Sequence, residues 1–100
     1  MEWFGNFESD DRVEEIPVSE GNSSVVTFIV ARDGRIFFTR ERIRHLALLS
    51  RTLCSQNEIA WGGVLTDKGS WIRQSYDFGD APNSQIRNDV IVKIQKVLFA

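Results

Sequence analysis

Apolar and β-branched residues concentrate between Val25 and Thr39, VVTFIVARDGRIFFT, where two such runs flank Asp33-Gly34. An Asp-Gly pair between strand-like runs is the strongest short-range hairpin signal, because a type I′ turn requires φ > 0 at both central positions. A two-residue loop there sets a register in which Ala31 faces Ile36, Val30 faces Phe37, Ile29 faces Phe38 and Phe28 faces Thr39. One face then carries Val25, Thr27, Ile29, Ala31, Ile36 and Phe38, and the other Val26, Phe28, Val30, Phe37 and Thr39. Both faces are apolar. A strand pair with one wet face would alternate, so this ribbon is either covered on both sides or offers one side to another chain.

Downstream the period changes. Ile43, Leu46, Ala47, Leu49, Leu53 and Cys54 recur at three- and four-residue steps, which predicts a helix over 40–54 with Thr39 as its cap. Arg40, Arg42 and Arg44 would occupy its first turns, where cations oppose the helix dipole. A second hairpin follows, with strands over 58–66 and 70–77 around Asp67-Lys68-Gly69, a three-residue loop that fits a type I turn with a G1 bulge. Its register pairs Leu65 with Trp71, Val64 with Ile72, Gly63 with Arg73 and Trp61 with Ser75, so that Trp61, Trp71, Leu65 and Arg73 share a face. Pro82 near a first turn and a stripe of Ile86, Val90, Ile94, Val97 and Leu98 predict a last helix over 84–99. The order ββαββα predicts an α+β, two-layer domain: a four- to five-stranded antiparallel sheet with both helices on one face.

The first 24 residues read differently from the rest. Trp3, Phe4 and Phe7 surround Gly5-Asn6, acids follow, and Val13, Ile16 and Val18 could form a short strand that Pro17 confines to a sheet edge. Residues 1–24 hold seven acids against Arg12, a balance of −6, while residues 25–100 hold seven acids against eleven Lys/Arg, a balance of +4. The chain therefore divides into an acidic aromatic arm or edge strand, 1–24, and one α+β domain, 25–100. At 100 residues with 42% apolar content, it has one modest core, and a deep pocket would compete with that core for the same large side chains.

Candidate chemistry is sparse. His45 lacks a Ser, Cys or carboxylate at dyad spacing and reads as a surface or boundary helix residue. Cys54, near a helix C-terminus, reads as a small core residue. One cysteine and one histidine leave no zinc set. Gly62-Gly63 lies inside a strand with no Lys-Ser/Thr after it, so it matches no phosphate loop and marks a bulge or a place where a large neighbour approaches the backbone. No enzyme activity, cofactor or metal is expected. No apolar run spans a membrane, and Met1 leads into acidic sequence, which points to a cytoplasmic protein of a bacterial or host cell.

What remains is surface. Arg32, Arg35, Arg40, Arg42, Arg44 and Arg51 fall within twenty residues that contain only Asp33 and Glu41 as acids, a patch for phosphates or an acidic protein if the acidic arm does not neutralise it. A sequence pI near 5.3 and the absence of aromatics between the arginines weigh against nucleic acid. In the arm, Trp3, Phe4 and Phe7 either cover the second apolar face of the hairpin or, beside the paired charges Asp10, Asp11, Glu14 and Glu15, suit a surface that docks on a partner with a basic nucleic-acid-binding cleft. Trp61, Trp71 and Arg73 form either a cross-strand ladder or a partner hot spot. These features suit a small non-enzymatic protein-binding module, most readily an inhibitor of the anti-CRISPR or toxin-immunity kind, an analogy of size and charge only. The alternatives are a homo-oligomeric structural or ligand-sensing domain, dimerising through the doubly apolar hairpin, and a nucleic-acid binder using the arginine patch.

Overall fold

The computed structural model describes residues 12–17 and 24–100. The elements follow as β1 (Val13–Glu15), β2 (Val25–Ala31), β3 (Ile36–Thr39), α1 (His45–Leu49), β4 (Ile59–Thr66), β5 (Trp71–Gln74) and α2 (Ser84–Leu98), with a 3-10 turn at Gln56–Glu58 before β4. The fold is α+β, as the periodicities predict, but the five-stranded sheet is mixed rather than antiparallel. Its order is β1-β3-β2-β4-β5, and β1 runs parallel to β3. Because β4 pairs with β2 along the whole length of β2, the outer edge of β3 is the place left for the arm's strand. Ile16 N–H closes that pairing on the Phe38 carbonyl at 2.7 Å, and Pro17 follows with no N–H to extend it.

Every residue of β2 and β3 is buried, and the two faces are covered by different helices. Val26, Phe28, Val30, Ile36 and Phe38 pack with Trp61, Leu65 and the Val90, Ile91 and Ile94 stripe of α2. Ile29, Ala31 and Phe37 pack on the opposite face with Ile16, Leu48, Leu49 and Ile59. The helices thus flank the sheet in three layers, which corrects the two-layer expectation and covers the second apolar face of the hairpin from within the chain. That face was the reason for a homodimeric alternative.

The first turn explains why the predicted face assignment fails. Asp33 has no positive φ; only Gly34 does, at 99°. Gly34 N–H bonds the Ala31 carbonyl and Ala31 N–H the Arg35 carbonyl, so the loop has three residues with a glycine bulge. It matches the second hairpin, where Gly69 (φ 86°) follows the predicted type I turn. One extra loop residue slips the register to Phe28↔Phe38 and Val30↔Ile36 and sends all of β3 to the other face. In the second hairpin Leu65↔Trp71 is as predicted. An irregularity next to it then pairs Val64 with Arg73, not with Ile72, and Gly63 with Gln74, not with Arg73.

The helix over 40–54 shrinks to one turn and a half. Arg44 is extended at ψ 143° and the stretch before it is not helical. Beyond Leu49, the Ser50 hydroxyl donates to the Ala47 carbonyl and the Thr52 hydroxyl to Leu49, while Cys54 N–H bonds Thr52 Oγ1. These side chains take over backbone partners and stop propagation. Leu53, on the predicted apolar stripe, is consequently fully exposed, and Leu46 partly so. The last helix forms as expected, with Asn83 Oδ1 accepting from Ile86 N–H at its start. Among the described residues no helix is long and apolar enough to cross a membrane.

Candidate functional site

Three strands and one connector build a recess on the described surface. Thr27 on β2, Val64 on β4 and Arg73 on β5 lie side by side across the sheet, on the face that α1 covers. Above them runs the non-helical stretch 40–44. Thr27 Oγ1 donates to the Glu41 carbonyl at 2.7 Å, and Ile43 packs on the lower core. His45 sits 2.8 Å from the Gly63 carbonyl through Nε2. A carbonyl can only accept, so Nε2 carries the donated proton. Arg42 and Arg44 line a cavity of about 470 Å³ together with Arg73 and Asp77. Val25, Ile43 and Val64 contribute its apolar wall.

The glycine pair makes this approach feasible. A Cβ on Gly62 would lie 2.8 Å from the Phe28 carbonyl and 3.3 Å from Cδ2 of His45. One on Gly63, projecting from the other face, would lie 2.7 Å from Cζ3 of Trp71. Each glycine thus admits a large ring, His45 below the sheet and Trp71 above it. His45 is therefore buried, contrary to the surface reading. Burial pushes its pKa below the ordinary imidazole range, against the opposing pull of the Gly63 hydrogen bond and of Asp77, and Arg73 adds to the lowering.

The arginines separate into engaged and open ones. Arg40 forms a bidentate pair with Glu15, at 2.8 and 3.2 Å. Arg35 holds Asp33 at 2.8 Å, and Arg12 adds a longer contact to the same carboxylate. Arg32 donates to the Asn57 carbonyl and Arg51 to the Ala47 carbonyl. Arg42, Arg44 and Arg73 are exposed and make no side-chain hydrogen bond or ion pair among the described residues. The first two belong to the patch read from the sequence, and β5 adds Arg73, which is 29 positions beyond Arg44. Part of that patch is indeed neutralised by the arm, through Glu15 and Arg40.

The other predicted site residues disperse. Trp3, Phe4, Phe7, Asp10 and Asp11 lie outside the described residues. Glu14 is exposed on β1, while Glu15 is engaged as above. Trp61 is 1% exposed, edge-on to Phe28 with centroids 5.3 Å apart, so it belongs to the core and not to a contact surface. Trp71 is half-buried, 6.4 Å from both Trp61 and Phe28. The guanidinium stacked on it comes from Arg87 of α2, 4.6 Å from the ring centroid, and not from Arg73, which the slipped register turns to the opposite face. Cys54 is partly buried, and burial pushes its thiol up, away from the reactive thiolate. Among the described residues no three His, Cys, Asp or Glu side chains are placed to hold a metal. Searches of protein-family models, curated proteins and solved structures find no match to this chain.

Proposed function

We propose that the protein is a non-enzymatic binding module that recognises an acidic partner protein through the groove between the 40–45 connector and strands β2, β4 and β5. One observation carries the reading: three exposed arginines, Arg42, Arg44 and Arg73, line one recess with no carboxylate among the described residues paired to them, while the neighbouring Arg35 and Arg40 are paired. Open arginines on a rigid frame suit directional recognition of carboxylate or phosphate oxygens, since the planar fork loses little freedom per bond. Protein recognition is favoured over catalysis because His45 is fixed by Gly63 and Cys54 is held as a thiol. The inhibitory version, in which the partner is blocked, follows from the acidic arm of the sequence and adds Glu14 as an exposed contact.

The test is a capture experiment with tagged protein. Wild type is expected to retain a partner at about 0.1 M salt, where exposed charges act over about 10 Å. Arg42→Glu with Arg73→Glu should release it, and Arg32→Glu should not. Retention by the double reversal at wild-type level sinks the groove as the docking surface.

A further inference from the structure

The groove's lining charge is unusual for a chain of net charge −2. Among the described residues that line it, Asp77 is the one acid beside Arg42, Arg44 and Arg73, and the lowered pKa of His45 favours its neutral ring, so this lining carries +2. One carboxylate side chain would leave half of that charge unmatched in a partly desolvated recess. A phosphomonoester carries about −1.5 to −2 at neutral pH and presents three acceptor oxygens, enough to engage a fork from each of three arginines. The cavity, about 470 Å³, lies within the usual range for small-ligand sites and has room for the group that bears the phosphate. Val25, Ile43 and Val64 give that group an apolar wall.

We propose that the groove is a phosphomonoester site, with Arg42, Arg44 and Arg73 as its ligands and the phosphorylated side chain of a partner protein as its occupant. The inference rests on the groove being the partner-binding surface. A nucleic acid fits less well. It offers one negative charge per phosphodiester and gains affinity by spreading over many basic contacts, whereas three arginines line one recess on an acidic molecule. A second charged recess, between Arg32, Arg35, Asp33 and Glu58, offers no comparable excess, because Arg35 is bound to Asp33 and Arg32 to the Asn57 carbonyl.

Fluorescence anisotropy with matched peptides decides the matter. The central residue is phosphotyrosine, phosphoserine, glutamate or serine, and phenyl phosphate and a single-stranded oligonucleotide complete the set. The phosphopeptides are expected to bind on the order of tenfold or more tightly than the glutamate peptide, and Arg42→Gln or Arg73→Gln should each remove a similar factor, as for a lost charge-assisted hydrogen bond. Arg32→Gln should bind as wild type. Unchanged melting temperatures show that the variants report on binding and not on folding. Tighter binding of phosphopeptide than of phenyl phosphate assigns the phosphate to a partner's side chain; equal binding keeps the phosphate site and assigns it to a free ester. Equal binding of the phosphate and glutamate peptides overturns the phosphate site but leaves an acidic-partner groove standing. No saturable binding of any phosphomonoester up to millimolar concentration overturns the inference alone, since the double-reversal capture judges the protein-binding reading separately. Preferential binding of the oligonucleotide, falling steeply with salt, overturns both.

Discussion

Truncation of Trp61 to alanine is expected to cost about 3–5 kcal/mol, the range for removing a large buried aromatic from a core. The ring is 1% exposed, lies edge-on to Phe28, and shares the upper core with Leu65, Val90 and Ile94. Small domains have stabilities of about 5–15 kcal/mol, so the variant should have a much-lowered urea midpoint by circular dichroism and could be partly unfolded in buffer. Trp71→Ala should cost clearly less. Trp71 is half-buried, and its truncation leaves a hollow over Gly63 that solvent can reach, with the loss of the Arg87 stack. Trp61→Phe refines the test. Indole Nε1 of Trp61 is buried with no acceptor among the described residues, so the phenyl ring gives up no hydrogen bond to them, and the cost reduces to the lost volume. If Trp71→Ala proves the more damaging of the two, the centre of the core is on the edge strand and not on β4.

The indole pair shows how far the sequence could be read. Loop chemistry at Asp67-Lys68-Gly69 placed Leu65 opposite Trp71 correctly, because Gly69 alone must adopt positive φ and the turn type follows from it. At Asp33-Gly34 the same chemistry allows two outcomes: a two-residue loop with both residues at positive φ, or a three-residue loop in which only glycine is. A single Asp-Gly pair cannot separate them locally. The choice is made by packing, since the longer loop puts Phe28, Phe38, Val30 and Ile36 together against α2. A one-residue difference in loop length therefore moved four β3 side chains across the sheet, which no periodicity count could detect. The parallel β1 was also hidden, because pairing direction depends on which edge β4 leaves open.

The groove was half visible for a related reason. Arg40, Arg42 and Arg44 repeat every second residue, a spacing of extended chain, and as helix residues they would sit at the wrong end of the dipole. That conflict was the available signal against a helix beginning at Arg40. The apolar stripe from Ile43 to Cys54 outweighed it, although Ser50 and Thr52 could capture backbone carbonyls and end the helix early. Arg73 could not be joined to the patch from sequence. Its face depends on the irregularity beside Leu65, which reverses the side on which the residues after Trp71 project. The same irregularity dissolved the expected Trp61, Trp71 and Arg73 cluster and left the cation–π role to Arg87, a helix residue whose position depends on the packing of α2.

His45 gives the second large effect, a loss of stability on mild acidification. In the folded protein the ring is buried, it donates through Nε2 to the Gly63 carbonyl, and its pKa is lowered, chiefly by burial. The unfolded chain exposes an ordinary imidazole with a pKa of about 6.5. Between that value and the lower folded pKa, the unfolded state binds more protons than the folded state, so the free energy of unfolding rises with pH across this window. Stability is therefore fully present above about pH 6.5, is lost as the pH falls towards the folded pKa, and changes no further on this account below it. The slope approaches at most about 1.4 kcal/mol per pH unit for one proton. Urea titrations from pH 7.5 to 5.5 should show the midpoint falling for wild type and nearly flat for His45→Gln, whose amide can still donate to Gly63 but does not titrate. The glutamine variant should also start lower at pH 7.5, because the imidazole fits against Gly62, where a Cβ would already meet its ring. A wild-type profile as flat as that of the variant would mean that the ring is hydrated in solution. In that case the connector carrying Arg42 and Arg44 would not be anchored at His45, and the groove would lose one of its fixed walls.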